Sequence, residues 1–83
     1  MSESNQITGR QIAAARALAG IGQAELAAAS KISVPTLRRM EASEGQASGI
    51  ANNVAAVRSV LKAAGVEFIA ENGGGAGVRL KRK

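Results

Sequence analysis

The sequence predicts a mainly α fold, four short helices closed by a C-terminal β-hairpin, and three observations predict it. Three helix starts are built alike, each with an apolar residue or polar cap just before a run of helix formers: Thr8 with Gln11, Gly22 with Glu25, and Ser33 with Pro35. Residues Val54, Val57, Val60, Leu61 and Ala64 form an apolar stripe at helical spacing. Beyond Gly65 the period changes from helical to alternating.

Taken in order, Met1 to Ile7 is polar and unpatterned and is expected to be a frayed arm preceding a domain that begins at Thr8. Thr8 and Gln11 form a capping box, in which hydroxyl and amide satisfy each other's backbone donors, so a first helix is predicted over Gly9 to Ala19. Ile12, Ala15 and Ala19 fall on its inner face, and Gly20 ends it. The second helix is predicted from a Gly22 cap to about Ser30, with Ile21 stapled to Leu26. The third begins after Ser33, carries Pro35 in its first turn where a missing N–H costs little, and staples Ile32 to Leu37. The turn between them, Ser30-Lys31-Ile32, has no glycine, so a left-handed residue there must be Lys31, at a cost of roughly 1 kcal/mol.

Glu41 to Gly49 is rich in Ser and Gly and is expected to be a loop. A fourth helix follows, capped by Asn52 or Asn53 and closed by Gly65, with Arg58 and Lys62 as an exposed pair. Val66, Phe68 and Ala70 then alternate with Glu67, Ile69 and Glu71, and Val78 and Leu80 with Arg79 and Lys81. The glycine-rich Asn72 to Gly77 joins these strands. It is not a phosphate loop, because no Gly-Lys-Ser/Thr follows and strands flank it. A two-stranded ribbon is marginal alone, so residues 66–83 must dock on the helices or pair with another chain, and dimerisation is the expected role.

Composition narrows the chemistry. At 83 residues the chain is read as one small domain with no room for a second, ligand-sensing one. It has no Cys, His, Trp, Tyr or Asp, which removes disulfides, thiolate metal sites, the usual metal ligands and the usual general bases. An enzyme is not expected, nor a metal or other cofactor. Eleven Lys and Arg against six Glu give a formal charge of +5, a balance that suits either a polyanionic partner or plain solubility. No apolar run approaches the roughly 18 residues of a membrane span, and the N-terminus lacks the order of a signal peptide. A cytoplasmic protein is expected.

The stretch Ile21 to Glu41 decides between the charge readings. Leu26 and Ala27 bury one helix edge, Ile32 plugs the turn, and Leu37 and Met40 put an apolar stripe on the next helix, leaving Thr36, Arg38 and Arg39 outside. This is the layout of a helix-turn-helix, whose second helix enters the DNA major groove. Gln23-Ala24-Glu25-Leu26-Ala27, then Ile32-Ser33, then Leu37 with Met40-Glu41, resemble the phage-repressor-like (Cro/C1, XRE) family over Thr8 to Glu41, roughly half the chain.

The resemblance implies a lambda-repressor-like helix-turn-helix bundle and a set of roles. Gln23 and Ser33 would contact DNA phosphate, the former with the backbone donors at the start of its helix. Val34, Pro35, Thr36 and Arg39 occupy base-reading places, with Arg38 beside them. Arg39 or Arg38 would meet guanine, and Val34, Pro35 and the Thr36 methyl would pack on thymine methyls. Arg16 and Glu41 would form a structural ion pair. Three departures stand out: Val34-Pro35 where amide-bearing residues are common, Lys31 in place of the common turn glycine, and a hairpin in place of a fifth helix.

The expected function is a sequence-specific transcriptional regulator, a repressor, binding a pseudo-palindromic double-stranded operator as a homodimer through the helix at 33–42. Such regulators commonly serve mobile genetic elements. The alternative is an antitoxin or anti-activator type of protein-binding module that uses DNA binding for autoregulation, with the hairpin as its partner surface. The basic tail Arg79 to Lys83 either reaches phosphates or forms a solvated edge that blocks sheet aggregation.

Overall fold

The computed structural model describes residues 7–43, 51–70 and 73–81. Four helices and one hairpin follow in chain order: α1 (Gly9–Ala19), α2 (Gln23–Ser30), α3 (Val34–Glu41), α4 (Ala51–Ala63), β1 (Val66–Ile69) and β2 (Gly77–Leu80). The mainly α fold with a terminal hairpin is therefore as expected. Local chemistry sets the first three helices. Thr8 caps α1 with both halves of the capping box in place, and Gly20 closes it in the left-handed region at φ 72°. Ser33 caps α3 by accepting from the Thr36 N–H, with Pro35 in the first turn. Gly22 offers α2 no side-chain cap.

The core gathers two side chains from each helix and one from β1. Ile12 and Ala15 of α1, Leu26 and Ala27 of α2, Leu37 and Met40 of α3, Val57 and Leu61 of α4, and Val66 of β1 are all buried together. Each of the larger side chains among them, Ile, Leu, Met or Val, contributes about 1.5–3 kcal/mol when taken from water, which in so small a domain makes every one of them count. Ile7 is buried with them. The sequence assigns it to the arm, because one apolar residue behind a polar stretch carries no period; its packing makes the domain begin at Ile7.

The strands pair antiparallel, with Val66 opposite Leu80, Glu67 opposite Arg79, Phe68 opposite Val78 and Ile69 opposite Gly77. The hairpin folds back onto its own domain, resting on α1 and α4, while α3 rests on α1 and α2. Phe68 and Val78 pack against the core. The ladder is shorter than the alternation suggested, since Ala70 lies outside β1 and is exposed.

Three expectations in and around α4 are corrected. The helix starts at Ala51, so Asn52 and Asn53 lie in its first turn rather than at its cap. Ala64 is exposed and follows the helix end, outside the buried stripe. Arg58 is half-buried rather than exposed, and its Nε is buried with no hydrogen-bond partner among the described residues. It neighbours Val57 on the inner side of the helix, where a long stem is drawn in by packing. The loop expected over Glu41 to Gly49 falls largely outside the described residues, as do most of the N-terminal arm and Arg82-Lys83 of the tail.

Candidate nucleic-acid interface

The surface formed by α2, its turn and α3 is built from a few local decisions. α2 ends when Lys31 enters the left-handed region, φ 61° and ψ 41°, and its N–H closes on Ala27 and Ala28 carbonyls. This is the only non-glycine with positive φ among the described residues, and it is the position the turn sequence singled out. Ile32 then tucks against the core and Ser33 starts α3. Leu37 and Met40 anchor the inner face of α3, so Pro35, Arg38 and Arg39 are exposed on the outer one.

The other two base-reading candidates, Val34 and Thr36, are less exposed. Val34 is half-buried and packs against the core, which makes it part helix anchor. Ser33 Oγ donates to Thr36 Oγ1 at 2.8 Å and accepts from the Thr36 N–H at 3.2 Å. The Thr36 hydroxyl oxygen is therefore engaged as an acceptor within the helix start, and Thr36 as a whole is half-buried.

Arg16 and Glu41 meet. Arg16 Nε donates to Glu41 Oε2 at 2.8 Å and Nη2 to Oε1 at 3.1 Å, a two-pronged contact that ties α1 to the end of α3. Nη1 adds a bond to the Ile21 carbonyl at 3.3 Å. The Glu41 side chain is 8% exposed and that of Arg16 23%. The hydrogen bond to Glu41 raises the Arg16 pKa above its ordinary value, against a smaller opposing effect of burial, so the cation is secure. Gln23 joins the pair from α2: its Nε2 donates to Glu41 Oε1 at 3.0 Å. Arg38 joins from the exposed side, with Nε donating to Gln23 Oε1 at 3.4 Å.

Four of the residues singled out by sequence are thus brought into one network spanning α1, α2 and α3. Gln23 belongs to it through its side chain, and a role on phosphate rests mainly on the backbone N–H groups at the start of α2. Neither a protein-family model nor a curated protein sequence matches the chain.

Two longer-range roles at the start of α1, one toward α3 and one toward the hairpin, escaped the sequence pattern. Gly9 lies so close to the end of α3 that an added Cβ would fall on the carbonyl oxygens of Met40 and Ser43. Gln11 does more than cap: its Nε2 donates to the carbonyls of Ile69 at 3.1 Å and Gly77 at 2.9 Å. Beyond the Thr8–Gln11 capping box, nothing in the sequence marks either role.

Elsewhere the surface is chemically sparse. A shallow cleft lies between the α1 start and the hairpin, lined by Thr8, Arg10, Gln11, Ala14 and Ala76 to Val78, but Thr8 and Gln11 already satisfy one another there. Among the described residues no cluster of acidic side chains could hold a metal, and no helix is long and apolar enough to cross a membrane. Lys81 is exposed at the end of β2, its N–H held by the Gly65 carbonyl at 2.7 Å.

Proposed function

We propose that this chain is a sequence-specific DNA-binding transcriptional regulator with a lambda-repressor-like helix-turn-helix, acting in the cytoplasm as a repressor and not as an enzyme. The observation that carries the reading is α3 itself: Leu37 and Met40 are buried while Pro35, Arg38 and Arg39 face solvent, on a helix braced at both ends. An exposed helix with two adjacent arginines is suited to the major groove, where an arginine fork matches guanine O6 and N7. Pro35 and the Thr36 methyl suit thymine methyls. The backbone N–H groups at the start of α2, which Gly22 leaves uncapped, suit a phosphate.

One domain this size offers few phosphate contacts. A homodimer doubles them and sets two half-sites about 34 Å apart on one face of the duplex. The hairpin, on α1 and α4, is a surface distinct from the one α3 presents, and the dimer contact belongs there in this scheme.

The test is footprinting on the DNA upstream of the chain's own gene, together with affinity measured against salt. A protected, two-fold symmetric site is expected, with log affinity falling by roughly 0.9 per log unit of salt for each phosphate neutralised. Replacing Arg38 and Arg39 together with alanine should erase the footprint while leaving the fold intact. Binding that ignored salt, or a footprint indifferent to both arginines, would refute the assignment.

A further inference from the structure

The network around Glu41 has a direction that hydrogen-bond chemistry fixes. Glu41 offers only acceptors and Arg38 only donors, so the amide of Gln23 between them has one satisfactory orientation, NH2 toward the carboxylate and oxygen toward the guanidinium. Turning it over would set oxygen against oxygen and donor against donor. Arg16 in turn holds the carboxylate by its fork. A buried contact between α1 and α3 is thereby transmitted, through the first residue of α2, to one exposed arginine of α3.

We propose that Gln23 is a positioning residue for Arg38, and that Arg38 is the guanine-reading arginine of the surface. This rests on the DNA-binding assignment above. Gln23 presents the charge of Glu41 outward as an amide oxygen and holds the Arg38 guanidinium by its Nε edge. The donors left over, Nη1 and Nη2, are the end of the fork, two parallel N–H groups at the spacing guanine O6 and N7 require. An arginine pre-set in this way gives up less rotamer freedom when it meets a base than one that must be ordered on binding. Gln23 thus acts on specificity through Arg38, and the phosphate contact at this end of α2 falls to the backbone.

The experiment is selection from a random-sequence duplex library by the wild-type chain, Gln23→Ala, Arg38→Ala and the double variant, reading base preference at every position of the bound site. Arg38→Ala should flatten a guanine preference at one position of each half-site by about 10- to 100-fold. Gln23→Ala should flatten that same position by about 5-fold, since it removes the orientation and not the donors, and the double variant should match Arg38→Ala there. Gln23→Ala sites weakened uniformly at intact preference would identify Gln23 as a phosphate contact and overturn the proposal, as would an effect at a different position. A wild-type chain that enriches no site would overturn the DNA-binding reading and this one with it. Should Gln23→Ala fold poorly, the free wild-type protein still decides: the Arg38 Nε–H resonance should exchange with solvent more slowly than that of the exposed Arg10, and an equal rate would refute the contact.

Discussion

Helix α1 holds something on each of two sides, and it does so by different chemistry. Toward α3 it presents Gly9 and Arg16: close backbone packing at one end, and an ionic fork to Glu41 at the other. Toward the hairpin it presents Gln11, 6% exposed, whose neutral amide accepts from the Thr8 N–H and donates to one carbonyl on each strand. The ionic side passes its orientation on, through Gln23 to Arg38. The amide side ends where it begins, stapling the last pair of the ladder, Ile69 and Gly77, to the start of α1. A charged brace that must be desolvated contributes geometry more than stability, whereas a neutral amide meeting two carbonyls gives up little hydration. The surface that needs precision carries the ions, and the one that needs only attachment carries the amide.

The largest test of this contrast is Gly9→Ala. At the first position of a helix, alanine would ordinarily be better than glycine by up to roughly 1 kcal/mol. Here the added methyl meets the backbone oxygens of Met40 and Ser43, which cannot swing aside as a side chain would. Overpacking against backbone should dominate, with a net loss of about 3 kcal/mol and a fall in melting temperature of about 15 °C. A variant as stable as the parent would mean that α1 and α3 are not held by close approach, and that the Arg16 fork alone sets their geometry.

Such close approaches explain what the sequence could and could not show. Thr8, Gly20, Lys31, Ser33 and Pro35 act within their own turn of chain, so the bounds of α1, α2 and α3 were legible from neighbours alone. Ile7, Gly9, Gln11 and Arg58 act on residues far along the chain, and nothing in a local period marks them. In the candidate site the same division holds. The outward placement of Arg38 and Arg39 follows from the spacing of Leu37 and Met40, but the bond from Arg38 to Gln23 spans 15 positions and two helices. Only the folded arrangement brings those two together.

Gln11→Ala tests the other side and should cost less. It strands the carbonyls of Ile69 and Gly77 and the Thr8 N–H, and water can reach the half-exposed strand end to make up part of the loss. A loss of about 2 kcal/mol is expected, which is roughly 30-fold in amide exchange if it is confined to the hairpin. Exchange should accelerate at residues 66–69 and 77–80 and stay unchanged in α2 and α3. Equal acceleration in α3 would show that the hairpin is no separate unit, and that α1 links its two sides energetically as well as spatially.

The smallest effect is expected on the outer face of the hairpin, where Arg79 reaches across to Glu67 with bonds of 3.1 and 3.4 Å. Both side chains are well exposed, at 65% and 41%, so solvent and salt screen the pair and Arg79→Ala should leave the neutral-pH melting curve almost unmoved. What remains must carry a definite sign. The hydrogen bond from Arg79, and then its charge, lower the Glu67 pKa from its ordinary value. A depressed carboxylate contributes above the unfolded pKa and loses its contribution as pH falls through the folded one. Any difference between wild type and Arg79→Ala should therefore be greatest near neutrality, shrink with added salt and vanish in acid. A large difference that persisted at low pH would assign the contribution to the aliphatic stem of Arg79 lying on the strand, and the hairpin would then be fastened from its outer face as well as by Gln11.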